Sequence, residues 1–239
     1  MSGTRIWLID LARSIALLGM ALFHFSYDLQ MFGLFRPDGG QAAFLWYLAR
    51  IVAGSFIALA GVSLWLAQGR VLRWPAFWRR WRVLVLAAAG VSLATYLAMG
   101  EAWVFFGILH AIALFSLLGL LALRLPAPLI LLAGVGVFWG STILPGLLEW
   151  NLPALRFLGL GSIRTATVDF EPVFPWFGPF LLGLGMAKAL DRLWPRIARI
   201  EGPDWLAWPG RHSLAVYLIH QPVLIGAIWL WITLFGPAL

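Results

Sequence analysis

Four ionisable side chains interrupt the first long apolar run of the chain: Asp10, Arg13, His24 and Asp28. At about 100° per helical residue they point at roughly 280°, 220°, 240° and 280°, a stripe only about 60° wide. Scattered charges would not align so narrowly, so the stripe describes a helix with one polar face turned inward. Asp10 can pair with Arg13 one turn on, and His24 with Asp28. A carboxylate one turn from an imidazole orients the ring and raises its basicity, which is what a general base needs. For Asp10 and Arg13 the competing reading is a neutral ion pair that serves structure alone, with the arginine reaching out toward water.

Further along, Phe106-Gly107-Ile108-Leu109-His110 places a second histidine in an apolar helix. His110 sits at a depth comparable to that of His24, so the two could meet in one cavity. A lone histidine in such a setting is also a common hydrogen-bonded packing residue. Gly210-Arg211-His212-Ser213-Leu214 opens the last apolar run, which continues to Tyr217 and His220. Ser213, Tyr217 and His220 fall at roughly 60°, 100° and 40°, again one face. They suit substrate binding, or hydrogen bonds between helices. Arg211 and His212 are expected at the inner surface, where an anionic headgroup would attract them. Asp169 and Glu171 precede another apolar run, beside Pro172, Pro175 and Pro179, which should bend or break the start of that helix and shape a cavity mouth. The chain has no cysteine, which excludes disulfides, thiolate metal sites and a cysteine nucleophile. Its four histidines are scattered without metal-ligand spacing, so no metal is expected.

What must position these groups is a set of membrane helices. Of 239 residues, 62% are hydrophobic and 11% charged, against about 45–50% and about 25% in soluble domains. No soluble core absorbs that much apolar surface, so the fold class is an all-α polytopic bundle, read as one domain over 1–239. Seven runs approach the roughly 20 apolar residues of a span, near positions 6–30, 42–68, 83–99, 103–123, 127–146, 173–190 and 212–236. The first run lacks a small-residue cleavage pattern and is expected to stay as a span. No inverted repeat is evident. The net charge of +7 would suggest nucleic acid in a soluble protein, but here the basic residues fill short loops. Arg70, Arg73, Arg79, Arg80 and Arg82 follow the second run; Arg192, Arg196, Arg199 and Arg211 follow the sixth, with Lys188 just before. The opposite loops hold Arg36, Arg156 and Arg164, and the longest carries Glu149, Asp169 and Glu171. Basic residues concentrate on the cytoplasmic side, which places the N-terminus inside and, with seven spans, the C-terminus outside.

Arg5, Asp10, Arg13, Ala16, Met20, His24 and Asp28 keep an order and spacing that resembles the first span of the bacterial heparan-alpha-glucosaminide N-acetyltransferase catalytic-domain family, within the wider transmembrane acyltransferase superfamily. The segments Phe106 to His110, Asp169 to Gly178 and Gly210 to Pro222 extend the resemblance over nearly the whole chain. Ser14 stands where the family commonly has glycine. The resemblance implies acyl transfer across a membrane, with acetyl-CoA as co-substrate and a sugar or glycan amine or hydroxyl as acceptor on the far side. It implies His24 as the base or acyl carrier, with Asp28 as its partner, in a bacterial inner membrane; a homo-oligomer is compatible with it.

On that reading the CoA phosphates lie among Arg70 to Arg82 and Arg211, although topology explains most of those arginines equally well. The pantetheine arm then runs past Arg13 to His24, roughly 16 Å of helix rise. Direct transfer and an acetyl-histidine intermediate both fit. Two other readings compete: a small proton-coupled transporter or flippase, since buried His, Asp and Arg also build proton relays, and a non-catalytic membrane partner whose polar stripe faces another subunit.

Overall fold

The structure, a computed structural model, describes residues 5–147, 152–161 and 166–236. Glu149 and Arg164, assigned above to outer loops, lie outside the described residues. Regular secondary structure among the described residues is helical, apart from one parallel bridge between Phe106 and Phe170. In chain order the helices are α1 (Trp7–Met31), α2 (Gly39–Gln68), α3 (Trp74–Met99), α4 (Ile108–Ala122), α5 (Ala127–Leu147), α6 (Val173–Ala189), α7 (Trp194–Ile197), α8 (Asp204–Arg211) and α9 (Ser213–Phe235). Five of these, α1, α2, α3, α5 and α9, are long and apolar enough to cross a bilayer, and α4 is a shorter apolar helix. The chain is an integral membrane protein.

Helix starts differ from the sequence expectation where local chemistry outweighs hydropathy. α2 begins at Gly39 rather than near 42 because Asp38 and Gln41 form a reciprocal cap: the Gln41 N–H donates to Asp38 Oδ1 at 2.7 Å, and the Asp38 N–H to Gln41 Oε1 at 3.0 Å. α3 begins at Trp74, with Pro75 in its first turn, so Arg79, Arg80 and Arg82 are exposed helical residues and not loop residues. The fourth run shortens most. Trp103 to Gly107 is extended, and only Ile108–Ala122 is helical. α8 is absent from the sequence reading, which placed Gly210 and Arg211 at the start of the last span. Its mixed composition hid it, and His212 joins it to α9.

Two compact units organise the chain, Met1–Phe56 with Pro195–Leu239, and Ile57–Trp194. In the first, α8 lies against the opening turns of α1, and α1 and α9 touch further along. Gly210 meets the Asp10 backbone so closely that a Cβ there would overlap the Asp10 carbonyl. In the second, α6 is flanked by α2, α4 and α5, and its core is built on fully buried Ile57, Phe115, Ile130, Phe180 and Leu184. Lipid gives helices little hydrophobic reason to associate, so close backbone packing through small residues matters more. Gly61 against the Phe180 carbonyl and Gly183 against the Ala58 carbonyl are such approaches. α6 carries a break where its prolines predicted one: Phe174 is non-helical, at φ −101° and ψ 121°.

Candidate functional site

The polar stripe of α1 divides into two clusters, one near each end of the helix. Near the C-terminal end are His24 and Asp28, facing α9. Asp28 is fully buried. It does not pair with His24; its Oδ1 accepts a hydrogen bond from Gln221 Nε2 at 2.7 Å. His24 instead faces His220, with ring centroids 5.0 Å apart and the rings inclined at 61°. The expected one-turn pair is replaced because α9 brings a better-aimed amide to the carboxylate. His220 Nδ1 donates to the Tyr217 carbonyl at 2.5 Å, and the Tyr217 ring lies 5.7 Å away, on the shared face expected for these residues. A carbonyl only accepts, so Nδ1 carries the proton and Nε2 presents a lone pair.

Four buried atoms in this cluster have no hydrogen-bond partner: His24 Nδ1, Asp28 Oδ2, His220 Nε2 and Gln221 Oε1. Each such atom costs about 1–3 kcal/mol, and four of them on neighbouring residues concentrate that cost here; Asp10 Oδ2, Arg211 Nε and Glu171 Oε2 are in the same state elsewhere. Three of the four are unambiguous acceptors. Asp28 accepts through a carboxylate, Gln221 has committed its amide nitrogen to Asp28, and His220 has committed Nδ1 to Tyr217. Gln221 is missing from the sequence-based set. Its only signal was a polar residue inside an apolar span, next to His220 and Pro222.

Near the N-terminal end, Arg13 Nη1 donates to Asp10 Oδ1 at 2.8 Å. Arg211 Nη2 donates to Asp204 Oδ1 at 2.6 Å, while its Nε stands 3.8 Å from Asp10 Oδ2, close enough for attraction but too long for a hydrogen bond. Two arginines and two aspartates balance in charge, and the group ties α8 to α1. Ser14 adds to the tie: its Oγ donates to the Asp10 carbonyl at 3.2 Å and accepts from the Gly210 N–H at 2.9 Å. Ser213 is the first residue of α9. His212 packs on Trp208, its Nδ1 3.0 Å from that residue's carbonyl.

In the second unit the two motifs around His110 and Asp169 interlock. The Gly107 N–H donates to His110 Nδ1 at 3.3 Å, leaving the proton on Nε2, which meets Ser92 Oγ at 3.1 Å; Ser92 in turn donates to the Val104 carbonyl at 2.6 Å. Both nitrogens of His110 are therefore engaged in holding the start of α4. Asp169 Oδ2 accepts from the Ile108 N–H at 3.1 Å and so caps α4 from a distant loop. Gly107 makes room for it, since a Cβ would collide with the Asp169 carboxyl. The residue as a whole is half-buried, but its carboxyl is drawn against this backbone. Burial raises its pKa from the ordinary 3.8 to about 6, opposed by the bond from Ile108. The Glu171 N–H donates to the Phe106 carbonyl at 3.0 Å and the Val168 N–H to the Ala102 carbonyl at 3.1 Å, pairing the extended segments.

Two of the basic residues are also committed. Arg70 reaches Asp191 at 3.3 Å. Lys188 Nζ donates to the Leu123 and Leu125 carbonyls at 2.8 and 2.7 Å, capping the C-terminal end of α4. Arg73, Arg79 and Arg82 are exposed. Among the described residues no cluster of three or more His, Cys, Asp or Glu could hold a metal ion.

A polytopic helical membrane protein with a buried histidine–carboxamide–carboxylate cluster is the class these features define. The family model described as heparan-alpha-glucosaminide N-acetyltransferase, catalytic, matches residues 5–222, and the chain belongs to that family. No curated protein and no solved structure matches it. The matched span holds both clusters of α1, the α4 start and the His220-Gln221-Pro222 end of the motif in α9. The family suggests a membrane acetyltransferase.

Proposed function

We propose that the protein transfers an acetyl group from cytoplasmic acetyl-CoA to an amine or hydroxyl of a sugar acceptor, and that the His24 cluster is where transfer occurs. The observation that carries this reading is the concentration of unpartnered buried polar atoms on His24, Asp28, His220 and Gln221. Such atoms await hydrogen-bonding groups from a ligand, and the family supplies the reaction class. His24 acts as the base, taking a proton as the acceptor attacks the thioester carbonyl. Asp28, held by Gln221, and His220 bind the acceptor. The thioester arm follows α1 from Arg13 toward His24, about 16 Å.

The balanced Asp10, Arg13, Arg211 and Asp204 group is better suited to fixing α8 on α1 than to binding phosphate. On this reading His110 and Asp169 serve the start of α4 rather than the transfer step.

The test is purified protein with radiolabelled acetyl-CoA and a panel of amino sugars and glycans. Wild type labels an acceptor; His24→Ala loses roughly 10²-fold or more of that rate while its thermal midpoint stays near wild type. Full activity in His24→Ala would overturn the assignment. No stabilisation of wild type by CoA in a thermal shift would favour a transporter.

A further inference from the structure

We infer that His220 is a second base, matched to an acceptor that reaches the site as an ammonium ion; this rests on the transferase reading above. Two features of α9 carry it. The Tyr217 carbonyl holds the His220 proton on Nδ1, so a buried Nε2 lone pair is presented beside His24, ring to ring at 5.0 Å. Gln221 turns its nitrogen to Asp28 and leaves Oε1 without a donor, while Asp28 Oδ2 is likewise unsatisfied. A carboxylate, a carboxamide oxygen and an imidazole lone pair all accept, and a group with three N–H donors and a positive charge complements them.

The stoichiometry of amide formation then gives each histidine a task. An ammonium carries three protons on nitrogen and the amide product retains one, so two must leave. The first passes to His220 Nε2, freeing the nitrogen lone pair. That lone pair attacks the thioester carbon, forming C–N; collapse breaks C–S and the electron pair leaves on sulfur. The proton on His220 returns to water; the second proton then goes to His24 and from there to the thiolate, giving the CoA thiol. A hydroxyl acceptor loses one proton only and would leave His220 idle. Two imidazolium rings this close repel, so the steps are sequential, with the Asp28 carboxylate offsetting one charge at a time. The titratable groups whose rings lie against His220 are His24 from α1 and Tyr217 from α9, with Asp28 reached through the neighbouring Gln221; Asp10, Arg13, Asp204 and Arg211 gather at the other end of α1.

The experiment compares wild type and His220→Gln, as full-length purified chains, with two acceptors: glucosamine, largely protonated near neutral pH, and acetyl hydrazide, which is not. The glucosamine-to-hydrazide rate ratio should fall roughly tenfold or more in the variant and recover as rising pH deprotonates glucosamine. A ratio within one variant cancels any unfolded fraction. If His220→Gln slows both acceptors alike, or if alkaline pH fails to restore the ratio, His220 is a packing residue and the inference is overturned while the transferase reading stands. A wild type that labels neither acceptor overturns both.

Discussion

The two oxygens of Asp28 have different surroundings, so one substitution can tell a structural role from the proposed catalytic one. Oδ1 is satisfied by Gln221 and Oδ2 is not. Asp28→Asn keeps an oxygen to accept from Gln221 and removes a charge from a fully buried position. Removing an uncompensated buried charge relieves destabilisation, so the variant should melt at or above the wild-type temperature. It should also lose about 10²-fold in acetyl transfer, since a carboxylate has been replaced by an amide that also donates. Thermal unfolding and a single transfer assay check both halves; a lower melting point with retained activity would make Asp28 a structural anchor. His24 stands out in the sequence because an apolar run cannot carry a histidine and two carboxylates cheaply. The residues that face it do not. Spacing within a helix reveals neighbours on that helix, whereas Gln221 and His220 reach His24 and Asp28 from α9, and single-chain periodicity holds no record of which helix lies opposite.

The start of α4 shows the same division between legible composition and hidden contact. His110, Asp169 and Glu171, candidate site residues by sequence, do assemble, but around a helix terminus: Asp169 caps Ile108, His110 receives the Gly107 N–H, and the extended segments exchange backbone bonds. Orphan N–H groups at a helix start require acceptors, and buried near a membrane they have no water to turn to. The Asp169 carboxyl titrates near 6 instead of the ordinary 3.8. Because the folded form holds its proton more tightly than the unfolded form, this group's contribution to stability is full below about pH 4. It is lost as pH rises through about 6. Asp169→Asn keeps an oxygen for Ile108 and does not titrate. The variant should therefore gain stability relative to wild type between pH 4 and pH 6, and hold that gain at higher pH. Thermal midpoints of both proteins at several pH values would show a constant difference if the Asp169 carboxyl were unperturbed. Asp38 and Gln41 mark the opposite case, a cap written entirely in local sequence, which fixes the start of α2 by a spacing that hydropathy overlooks.

At the scale of the whole molecule, the number of crossings turns on α4 and α6. α4, at 15 residues, rises about 22 Å, short of the roughly 30 Å hydrocarbon core. Helix direction within the Ile57–Trp194 unit bears on this. α4 and α6 run the same way, since Asp169 ahead of α6 caps the start of α4 and Lys188 near the end of α6 caps its finish. α2 also runs with α6, through Ala58 to Gly183 and Trp65 to Asp191. α5 runs against α6, Leu131 meeting Gly185 and Phe138 meeting Gly178, and α3 runs against α4, Ser92 meeting His110 and Trp81 meeting Ala113. Strict alternation from α2 to α6 is what five consecutive crossings require. The extended backbone at Trp103 to Gly107 can complete the reach of α4 because the backbone groups of Trp103, Val104 and Gly107 and the Phe106 carbonyl are bonded within the protein. With these five crossings, Arg70, Arg73 and Arg192 of this unit would share one face, and the basic bias of cytoplasmic loops would make it the inner one. The chain contains no cysteine, so single introduced cysteines report cleanly on sidedness. A membrane-impermeant maleimide applied outside intact cells should label Arg156→Cys and spare Arg73→Cys, Arg124→Cys and Trp205→Cys. Labelling at 124 with protection at 156 would mean that α4 and α6 dip into the membrane and return, leaving five crossings.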